Sequence, residues 1–222
     1  MRGVFVTGTG TEVGKTVVAA VLAYGFAAAG ERVAVFKPAV TGLDEYAGGD
    51  EPDHELLRRA AGSTQPDDEI SPYRYGPPAS PHLAAELAGE RIDPARLVAA
   101  ARAGAERADV LLCEGVGGLL VPLTLGYLVR DLARELELPL VIAASPGLGT
   151  INHTLLTIEA ARAVGLEVAL VVMTPWSAEP GAVDRSNREA IERLGEVRVE
   201  TLPQLDVGAP DSWPELRLQT FD

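Results

Sequence analysis

Short apolar runs alternate with stretches of helical periodicity along most of the chain. The runs predict buried strands at Val4–Thr7, Arg32–Phe36, Val110–Cys113, Pro139–Ala144 and Glu167–Met173. The stretches between and after them predict helices at Lys15–Ala29, Asp53–Ala61, Pro94–Arg107, Tyr127–Leu136, Thr150–Val164 and Ala182–Leu194. Strands that alternate with helices form βαβ units. We therefore predict an α/β fold with a mostly parallel sheet covered by helices on both faces.

Two polar stretches interrupt this alternation. Thr41–Pro52 is rich in glycine and aspartate, and Gly62–Ser80 is rich in proline and tyrosine. Both compositions are typical of loops, and we predict surface loops at one edge of the domain. The tail after Pro203 is polar and contains proline, so no element is predicted there. A length of 222 residues without an internal repeat suits one domain spanning residues 1–222.

The composition limits the partners of such a domain. Hydrophobic residues make up 47% of the chain, which is enough for a substantial core. The net charge is −13, from 19 basic and 32 acidic residues, and no basic stripe appears, so we expect no nucleic acid partner. A phosphate-binding site would have to create its own positive field. Backbone N–H groups, one or two lysines and a divalent metal ion are the means available.

The residues that often carry metal or redox chemistry are sparse. Cys113 is the single cysteine and lies inside an apolar run, so we expect a buried core residue rather than a disulfide or a metal site. His54, His82 and His153 show no metal-ligand spacing, and we expect structural or solvent-facing roles. No signal-peptide pattern and no apolar segment near the ~20 residues of a membrane span are present. We expect a cytoplasmic protein without a membrane partner.

The most specific motif is Gly8-Thr9-Gly10-Thr11-Glu12-Val13-Gly14-Lys15-Thr16, between the first predicted strand and helix. The N–H groups of such a loop and of the helix N-terminus can hold anionic oxygens. Lys15 would reach the outer phosphates of a nucleotide, and the Thr16 hydroxyl would bind the metal ion. The strict pattern has glycine at the position of Thr9, whereas here the glycine lies one residue earlier. The alternative, a glycine-rich turn without a ligand, is disfavoured by the flanking strand and helix.

Polar residues also follow the other predicted strands. Lys37-Pro38 follows the second, Glu114-Gly115-Val116-Gly117-Gly118 the third and Ser145–Gly149 the fourth. Ligands of open α/β sheets bind at the carboxyl ends of the strands, so these segments should meet at one rim. Lys37 and Glu114 could each be an ordinary solvated side chain. A carboxylate at that rim can instead hold a metal ion, and the glycines after Glu114 allow a close backbone approach to a ligand.

Two helix starts leave alternatives open. Asp53 begins a predicted helix, where an N-cap and a metal ligand are equally good interpretations, and the nearby Asp50 could take the same role. Gly147–Asn152 opens a later helix. Thr150 or Asn152 could simply cap this helix, or its free N-terminus could bind a carboxylate.

Together these motifs resemble the dethiobiotin synthetase family in order and spacing, over roughly residues 1–170. The resemblance rests on the glycine loop with Glu12, Lys37-Pro38, Thr41-Gly42, Ser80-Pro81-His82, Glu114-Gly115-Val116-Gly117-Gly118 and Gly149-Thr150-Ile151-Asn152-His153. It implies a three-layer P-loop NTPase-like fold, a homodimer, and ATP and Mg²⁺ as cofactors. It also implies a reaction in biotin synthesis. An amine of 7,8-diaminopelargonic acid captures CO₂ as a carbamate, ATP phosphorylates the carbamate, and the second amine closes a cyclic urea.

The resemblance also implies roles for individual residues. Lys37 would stabilise the carbamate and the transferring phosphoryl group, with Lys15 and Thr11 as further catalytic residues. The metal ion would be held by Thr16, Asp53 and Glu114. The nucleotide would contact Glu12, Val13, Gly14, Lys15, Thr16, Val17, Asp53, Glu114, Gly115, Val116, Gly117, Leu202, Pro203 and Gln204. The substrate would contact Thr41, Gly118, Gly149, Thr150 and Asn152, and the last three could act from across the dimer interface.

One departure and two competing families qualify this interpretation. Family members usually carry an adenine-reading asparagine near residue 173, where this chain has Met173-Thr174-Pro175. An amide synthetase of the cobyrinic acid type shares the fold but would add a glutamine amidotransferase domain, for which Cys113 is a poor nucleophile. A partitioning-type ATPase switch would carry an extra lysine near the start of the loop, where Gly10 stands. We expect a dethiobiotin synthetase.

Overall fold

The computed structural model describes residues 1–45, 51–216 and 218. Its strands are Gly3–Gly8 (β1), Val33–Phe36 (β2), Val110–Gly118 (β3), Pro122–Thr124 (β4), Tyr127–Leu128 (β5), Leu140–Ala144 (β6), Val168–Met173 (β7) and Val199–Thr201 (β8). Its helices are Lys15–Ala28 (α1), Asp53–Ala60 (α2), Asp67–Ile70 (α3), Pro81–Leu87 (α4), Pro94–Glu106 (α5), Val129–Leu136 (α6), Thr150–Arg162 (α7) and Ala182–Gly195 (α8). The predicted strands and helices are present with boundary shifts of one or two residues, except that β3 continues to Gly118 and so contains the segment from Glu114 that was expected to follow the strand.

Six of the strands form one sheet in the order β2-β3-β1-β6-β7-β8, and all of its neighbours are parallel. After β1 the chain builds the sheet towards β2 and β3, and later continues on the other side of β1 with β6. The direction of winding thus reverses at β1. Ligands of open α/β sheets bind at such a switch point, so the loop that leaves β1 lies where a binding site is expected.

Helices cover both faces of this sheet, because side chains alternate between the faces along each strand. In β1, Val4 and Val6 face α1, α2 and the tail, whereas Phe5 faces α4, α5 and α6. Ile142 in β6 faces α7 and α8 on the same side as Phe5. The predicted three-layer α/β architecture with a parallel central sheet is confirmed.

The segment Gly62–Ser80 is more than the predicted surface loop. It contains α3, its residues Ile70, Ser71, Tyr73 and Tyr75 are buried, and Val40 pairs with Arg74 in an isolated parallel bridge. The two tyrosine rings lie 6.4 Å apart and pack into the core beside α4 and α5. The sequence prediction was wrong here because burial of these rings depends on helices from later in the chain.

Two further predictions need correction. The sequence predicts that a helix begins at Tyr127, but Tyr127 lies in a short antiparallel hairpin with β4, and α6 begins only at Val129. The Asp131 side chain accepts a hydrogen bond from the Leu128 N–H at this helix start. The sequence pattern also did not predict α4, β4 or β8. The three residues of β8, Val-Glu-Thr, give too short a pattern to recognise.

The tail after Pro203, left unassigned, returns to the face of α1, where Trp213 and Leu218 are buried. None of the helices in the described part of the chain is long and apolar enough to cross a bilayer.

Candidate active site

The glycine loop between β1 and α1 has the conformation of a phosphate cradle. Gly14 precedes the helix with a φ of 83°, and a Cβ at this position would lie 2.5 Å from Thr174 Cγ2. The Lys15 side chain is buried and its Nζ donates to the Gly10 carbonyl over 2.8 Å. No side chain of the described residues caps the start of α1. Its first N–H groups are therefore available to an anion.

A buried ionic cluster lies beside this loop. Lys37 is 3% exposed, and its Nζ lies 2.7 Å from Asp53 Oδ2 and 2.8 Å from Glu114 Oε1. The Thr16 hydroxyl donates to the same Glu114 oxygen over 2.9 Å. The strand order causes this convergence, because β2 and β1 both neighbour β3, which carries Glu114.

The charges of the cluster are strongly coupled. Burial alone would lower the pKa of Lys37, but the carboxylates of Asp53 and Glu114 outweigh burial and raise it. Burial raises the pKa of Glu114, although Lys37 opposes this effect. Burial would also raise the pKa of Asp53, but the neighbouring ammonium of Lys37 lowers it. Burial lowers the pKa of Lys15, with Glu114 opposing. Lys37 therefore stays charged in this cluster.

The oxygen atoms of the cluster suit a magnesium ion. The Oε2 atom of Glu114 is buried and has no hydrogen-bond partner among the described residues. Two carboxylates and a hydroxyl are hard oxygen ligands of the type that Mg²⁺ prefers. Asp53 is the first residue of α2 and makes no cap, so the N-cap interpretation is wrong. The competing candidate Asp50 lies outside the described residues.

Another group of possible ligand atoms lies on the far side of α2. His54, Glu55 and Asp67 each place one such atom within 4.8 Å of the others. Asp67 is already paired with Arg58. Burial lowers the pKa of His54, Asp67 opposes this effect, and the guanidinium groups of Arg74 and Arg58 lower the pKa further. These positive charges oppose a cation there, so Thr16, Asp53 and Glu114 remain the better set.

The phosphate loop and the ionic cluster share one cavity of about 870 Å³. Twelve of the predicted site residues line it: Thr11, Glu12, Gly14, Lys15, Thr16, Val17, Lys37, Thr41, Asp53, Glu114, Val116 and Gly117. A second cavity of about 600 Å³ lies at the amino end of β2. Its arginines Arg32 and Arg107 are already paired with acidic side chains, and it contains none of the predicted site residues.

Comparison with known proteins places this site in a family. The chain matches the family described as AAA domain over residues 2–207. It is 45% identical over 194 residues to the ATP-dependent dethiobiotin synthetase BioD of Anaeromyxobacter dehalogenans (strain 2CP-1), an alignment covering 87% of this chain and 86% of that protein. This chain belongs to the dethiobiotin synthetase family.

More distant comparisons agree with this assignment. The ATP-dependent dethiobiotin synthetase BioD of Bacillus subtilis (strain 168) is 36% identical over 194 residues, covering 87% of this chain and 83% of that protein. The crystal structure of the cell division ATPase MinD of Pyrococcus furiosus superposes with a TM-score of 0.57 at 18% identity, over 91% of this chain and 84% of that one. At that identity the structural likeness shows the P-loop fold alone.

Several residues to which the family resemblance assigns roles lie outside the cavity. Gly115 is wedged in the core, where a Cβ would lie 2.9 Å from Val129 Cγ1 and 3.0 Å from Phe5 Cε1. Val13 packs against the core beside α1, and Gly118 pairs with Gly8 of β1. Close packing is therefore sufficient to explain why this position is a glycine.

The start of α7, to which the family resemblance assigns the substrate carboxylate, also lies outside this cavity. Gly149 is its N-cap with a φ of 93°, and neither Thr150 nor Asn152 caps the helix. The capping interpretation of these two residues is therefore wrong. The Thr150 hydroxyl is buried without a hydrogen-bond partner among the described residues, whereas Asn152 is exposed.

The segments that the family uses near the base have few free backbone donors. The Leu202 N–H donates to the Met173 carbonyl over 3.0 Å, and the Leu202 carbonyl accepts from the Trp176 N–H over 2.7 Å. The Thr174 N–H donates to Ala144, and Pro203 has no N–H. Gln204 is exposed and keeps a side-chain amide that can contact a ligand.

Sequence reasoning missed part of the cavity wall. Ser80 and Pro81 line the cavity, together with Glu45 and Val121. The motif Ser80-Pro81-His82 contributed to the family resemblance, but no role was assigned to it. Another signal was available in the composition: the chain contains only two lysines, Lys15 and Lys37, and both line this cavity.

Proposed function

We propose that this chain converts 7,8-diaminopelargonic acid, CO₂ and ATP into dethiobiotin, ADP and phosphate, as a cytoplasmic homodimer. The observation that carries this proposal is the burial of Lys37 between Asp53 and Glu114 beside a phosphate loop. This arrangement brings an ammonium group and two carboxylates suited to a metal ion next to the loop that would hold the phosphates. The names of the sequence relatives supply the product, dethiobiotin, and the dependence on ATP.

The phosphate loop and the carboxylates would share the work of binding Mg-ATP. The N–H groups at the start of α1 and the Lys15 ammonium would contact the phosphates. Thr16, Asp53 and Glu114 would hold Mg²⁺, which when bound neutralises negative charge on the transferring phosphoryl group. Gln204 and the carbonyl of Pro203 would lie near the base.

The reaction needs charge stabilisation more than a protein nucleophile. One amine of the substrate attacks CO₂ and loses a proton to give a carbamate. A carbamate oxygen then attacks the γ-phosphorus, and ADP leaves. The second amine attacks the carbonyl carbon of the mixed anhydride, the ring closes, and phosphate departs. Each intermediate is anionic, so Lys37 and Lys15 would stabilise the negative charge that develops.

The remaining cavity residues would position the substrate. Thr11, Glu12 and Thr41 all line the cavity, and they would contact the substrate near its reacting end. The start of α7, outside this cavity, would receive the substrate carboxylate from a second copy of the chain. Such an arrangement would hold the two amines near Lys37, and positioning of this kind is a large part of catalysis.

Product analysis tests the proposal. Purified protein is incubated with the diamine, ¹³C-bicarbonate and Mg-ATP, and we expect ¹³C-labelled dethiobiotin with equal amounts of ADP and phosphate. Omission of the diamine is the control. ATP hydrolysis independent of the diamine would favour an ATPase switch, a requirement for glutamine would favour an amide synthetase, and AMP with pyrophosphate would contradict the mechanism.

A further inference from the structure

Lys37 takes up the same oxygen atoms that the proposed function assigns to the metal ion. Its Nζ contacts Asp53 Oδ2 and Glu114 Oε1, and the side chain is almost fully buried. Thr16, the third proposed ligand, donates to the same Oε1 atom. The ammonium group and a divalent cation would therefore compete for one set of ligands.

The lysine satisfies this set only in part. It contacts one oxygen of each carboxylate, and Glu114 Oε2 remains buried without a hydrogen-bond partner among the described residues. A buried carboxylate oxygen without a partner carries a desolvation penalty. A divalent cation brings twice the charge of an ammonium group and can bind more oxygen atoms, so it has the means to replace the lysine.

We propose that Lys37 is the resident cation of the metal-free site and leaves Asp53 and Glu114 when a divalent cation binds to them. The inference rests on the proposed function, because the ligand set comes from it. Its consequence is an order of events. Before metal binding, the charge of Lys37 is neutralised by the two carboxylates. Afterwards the ammonium group is free to turn into the cavity, towards the phosphates and the carbamate. Lys37 would thus be presented to the substrate only when the metal site is filled.

Cation binding without nucleotide tests this displacement. Mn²⁺ affinity is measured by calorimetry for the unchanged protein, Lys37→Met and Lys15→Met. Because removal of Lys37 frees the ligand oxygens, we expect Lys37→Met to bind Mn²⁺ about tenfold or more tightly than the unchanged protein. Lys15 is the matched control, since it is the other lysine of the site but bonds to the Gly10 carbonyl. Loss of Lys15 changes only the electrostatic field around the metal ligands, and we expect the Mn²⁺ affinity to rise about twofold.

The two variants separate displacement from a general charge effect. The inference is overturned if Mn²⁺ affinity rises equally in Lys37→Met and Lys15→Met, or if it does not rise in Lys37→Met. It is also overturned if none of the proteins binds Mn²⁺. Lys37→Arg, which keeps the charge, should stay close to the unchanged protein. A gain in Lys37→Arg equal to that in Lys37→Met would contradict competition between like charges.

A spectroscopic measurement on the unchanged protein avoids variants that fail to fold. Labelling with [¹⁵Nζ]lysine gives only two side-chain signals in an NMR spectrum, because the chain has two lysines. Addition of Mg²⁺ alone should shift the Lys37 signal strongly and the Lys15 signal weakly. An unchanged Lys37 signal at a saturating Mg²⁺ concentration would show that the lysine keeps its two carboxylate partners. That outcome overturns the inference. The calorimetry and the spectroscopy do not involve the diamine, so failure of this inference can be distinguished from failure of the proposed reaction.

Discussion

At the scale of single residues, the site depends on two lysines with different surroundings. Lys15 donates to the backbone of the phosphate loop, whereas Lys37 contacts two acidic side chains from α2 and β3. Because the two lysines have different partners, we expect their substitution to affect different steps of the reaction. We expect Lys15 to contribute to nucleotide binding and Lys37 to stabilise the charge that develops during the proposed reaction.

Substitution of each lysine by alanine should separate the two roles. We expect Lys15→Ala to weaken ATP binding and turnover together. Lys37→Ala should bind ATP nearly normally but lose turnover, since removal of one transition-state contact typically costs ~2.7–4 kcal/mol. ATP affinity from calorimetry and single-turnover rates with the diamine check this, with thermal unfolding as the control for folding. Near-normal turnover of Lys37→Ala would rule out its assigned role.

Two glycines of the first helix region provide a second residue-scale prediction. Gly14 has a φ of 83° and would place a Cβ against Thr174, whereas a Cβ at Gly25 in α1 would meet nothing within 4 Å. We expect Gly14→Ala to destabilise the fold by at least ~1–2 kcal/mol and to abolish nucleotide binding. Gly25→Ala should stabilise it by ~0.4–1 kcal/mol, because alanine favours helix and restricts the unfolded chain.

Chemical denaturation and calorimetry with ATP measure both effects. Gly25→Ala is the matched control because it makes the same substitution inside α1, whereas Gly14 precedes this helix with a positive φ. Equal stability of the two variants would show that the loop conformation at Gly14 does not require glycine.

At the scale of elements, the tail after β8 packs against α1 and α2. The rings of Trp213 and Tyr24 meet edge to face with centroids 5.6 Å apart, and the Tyr24 hydroxyl donates to Asp211 over 2.6 Å. Arg59 of α2 donates to the Val207 carbonyl over 3.1 Å. The tail is therefore part of the packing that supports the helix carrying Asp53.

Truncation of the aromatic contact should loosen this region. We expect Trp213→Ala to lower the free energy of unfolding by about 3 kcal/mol, since a large buried ring is lost. Tyr24→Phe, which keeps the ring but removes the hydroxyl, should cost only ~0.5–1.5 kcal/mol. Urea unfolding of the two variants tests this. If Trp213→Ala loses less free energy of unfolding than Tyr24→Phe, the tail does not contribute to the core.

The ends of β7 and β8 lead to a prediction about the base. Met173-Thr174-Pro175 offers no side-chain amide, and the Thr174 and Leu202 N–H groups already bond within the protein. Each hydrogen bond missing from the base costs ~0.5–1.5 kcal/mol net, or roughly a factor of two to ten. We expect only modest selectivity for ATP over CTP or GTP. Competition among these donors at constant magnesium measures it, and a thousandfold preference for ATP would contradict the prediction.

At the scale of the whole molecule, the region around the start of α7 predicts association of two copies. Leu148 is fully exposed and Leu156 is largely exposed, on either side of Gly149 and Asn152. Exposed leucines beside a proposed substrate-binding segment are typical of an interface, and most homo-oligomers are two-fold dimers. The site would then be completed by the partner copy.

Disruption of this surface should affect assembly and substrate binding together. We expect Leu156→Glu to weaken dimerisation by about tenfold or more and to raise the diamine concentration needed for half-maximal rate. Leu87→Glu on α4, also an exposed leucine, is the control. Sedimentation at micromolar concentration measures the assembly. A fully active monomer would contradict the prediction.

The sequence by itself determined the elements whose signals are local. Alternating apolar runs and helical periods located the main strands, and the order of strand, glycine loop, Lys15-Thr16 and helix located the phosphate cradle. Such signals lie within about one element, where backbone preferences and burial patterns act directly. Motifs spread over most of the chain were specific enough to indicate the family.

Only the tertiary structure decided which of the candidate side chains meet. Lys37, Asp53 and Glu114 are far apart in sequence, and their contact requires β2 to lie beside β3 and α2 to pack over that edge. The same holds for the burial of Tyr73 and Trp213, and for the close packing that explains Gly115. Strand order and side-chain packing depend on contacts between distant segments, and a pattern within one segment carries no information about them.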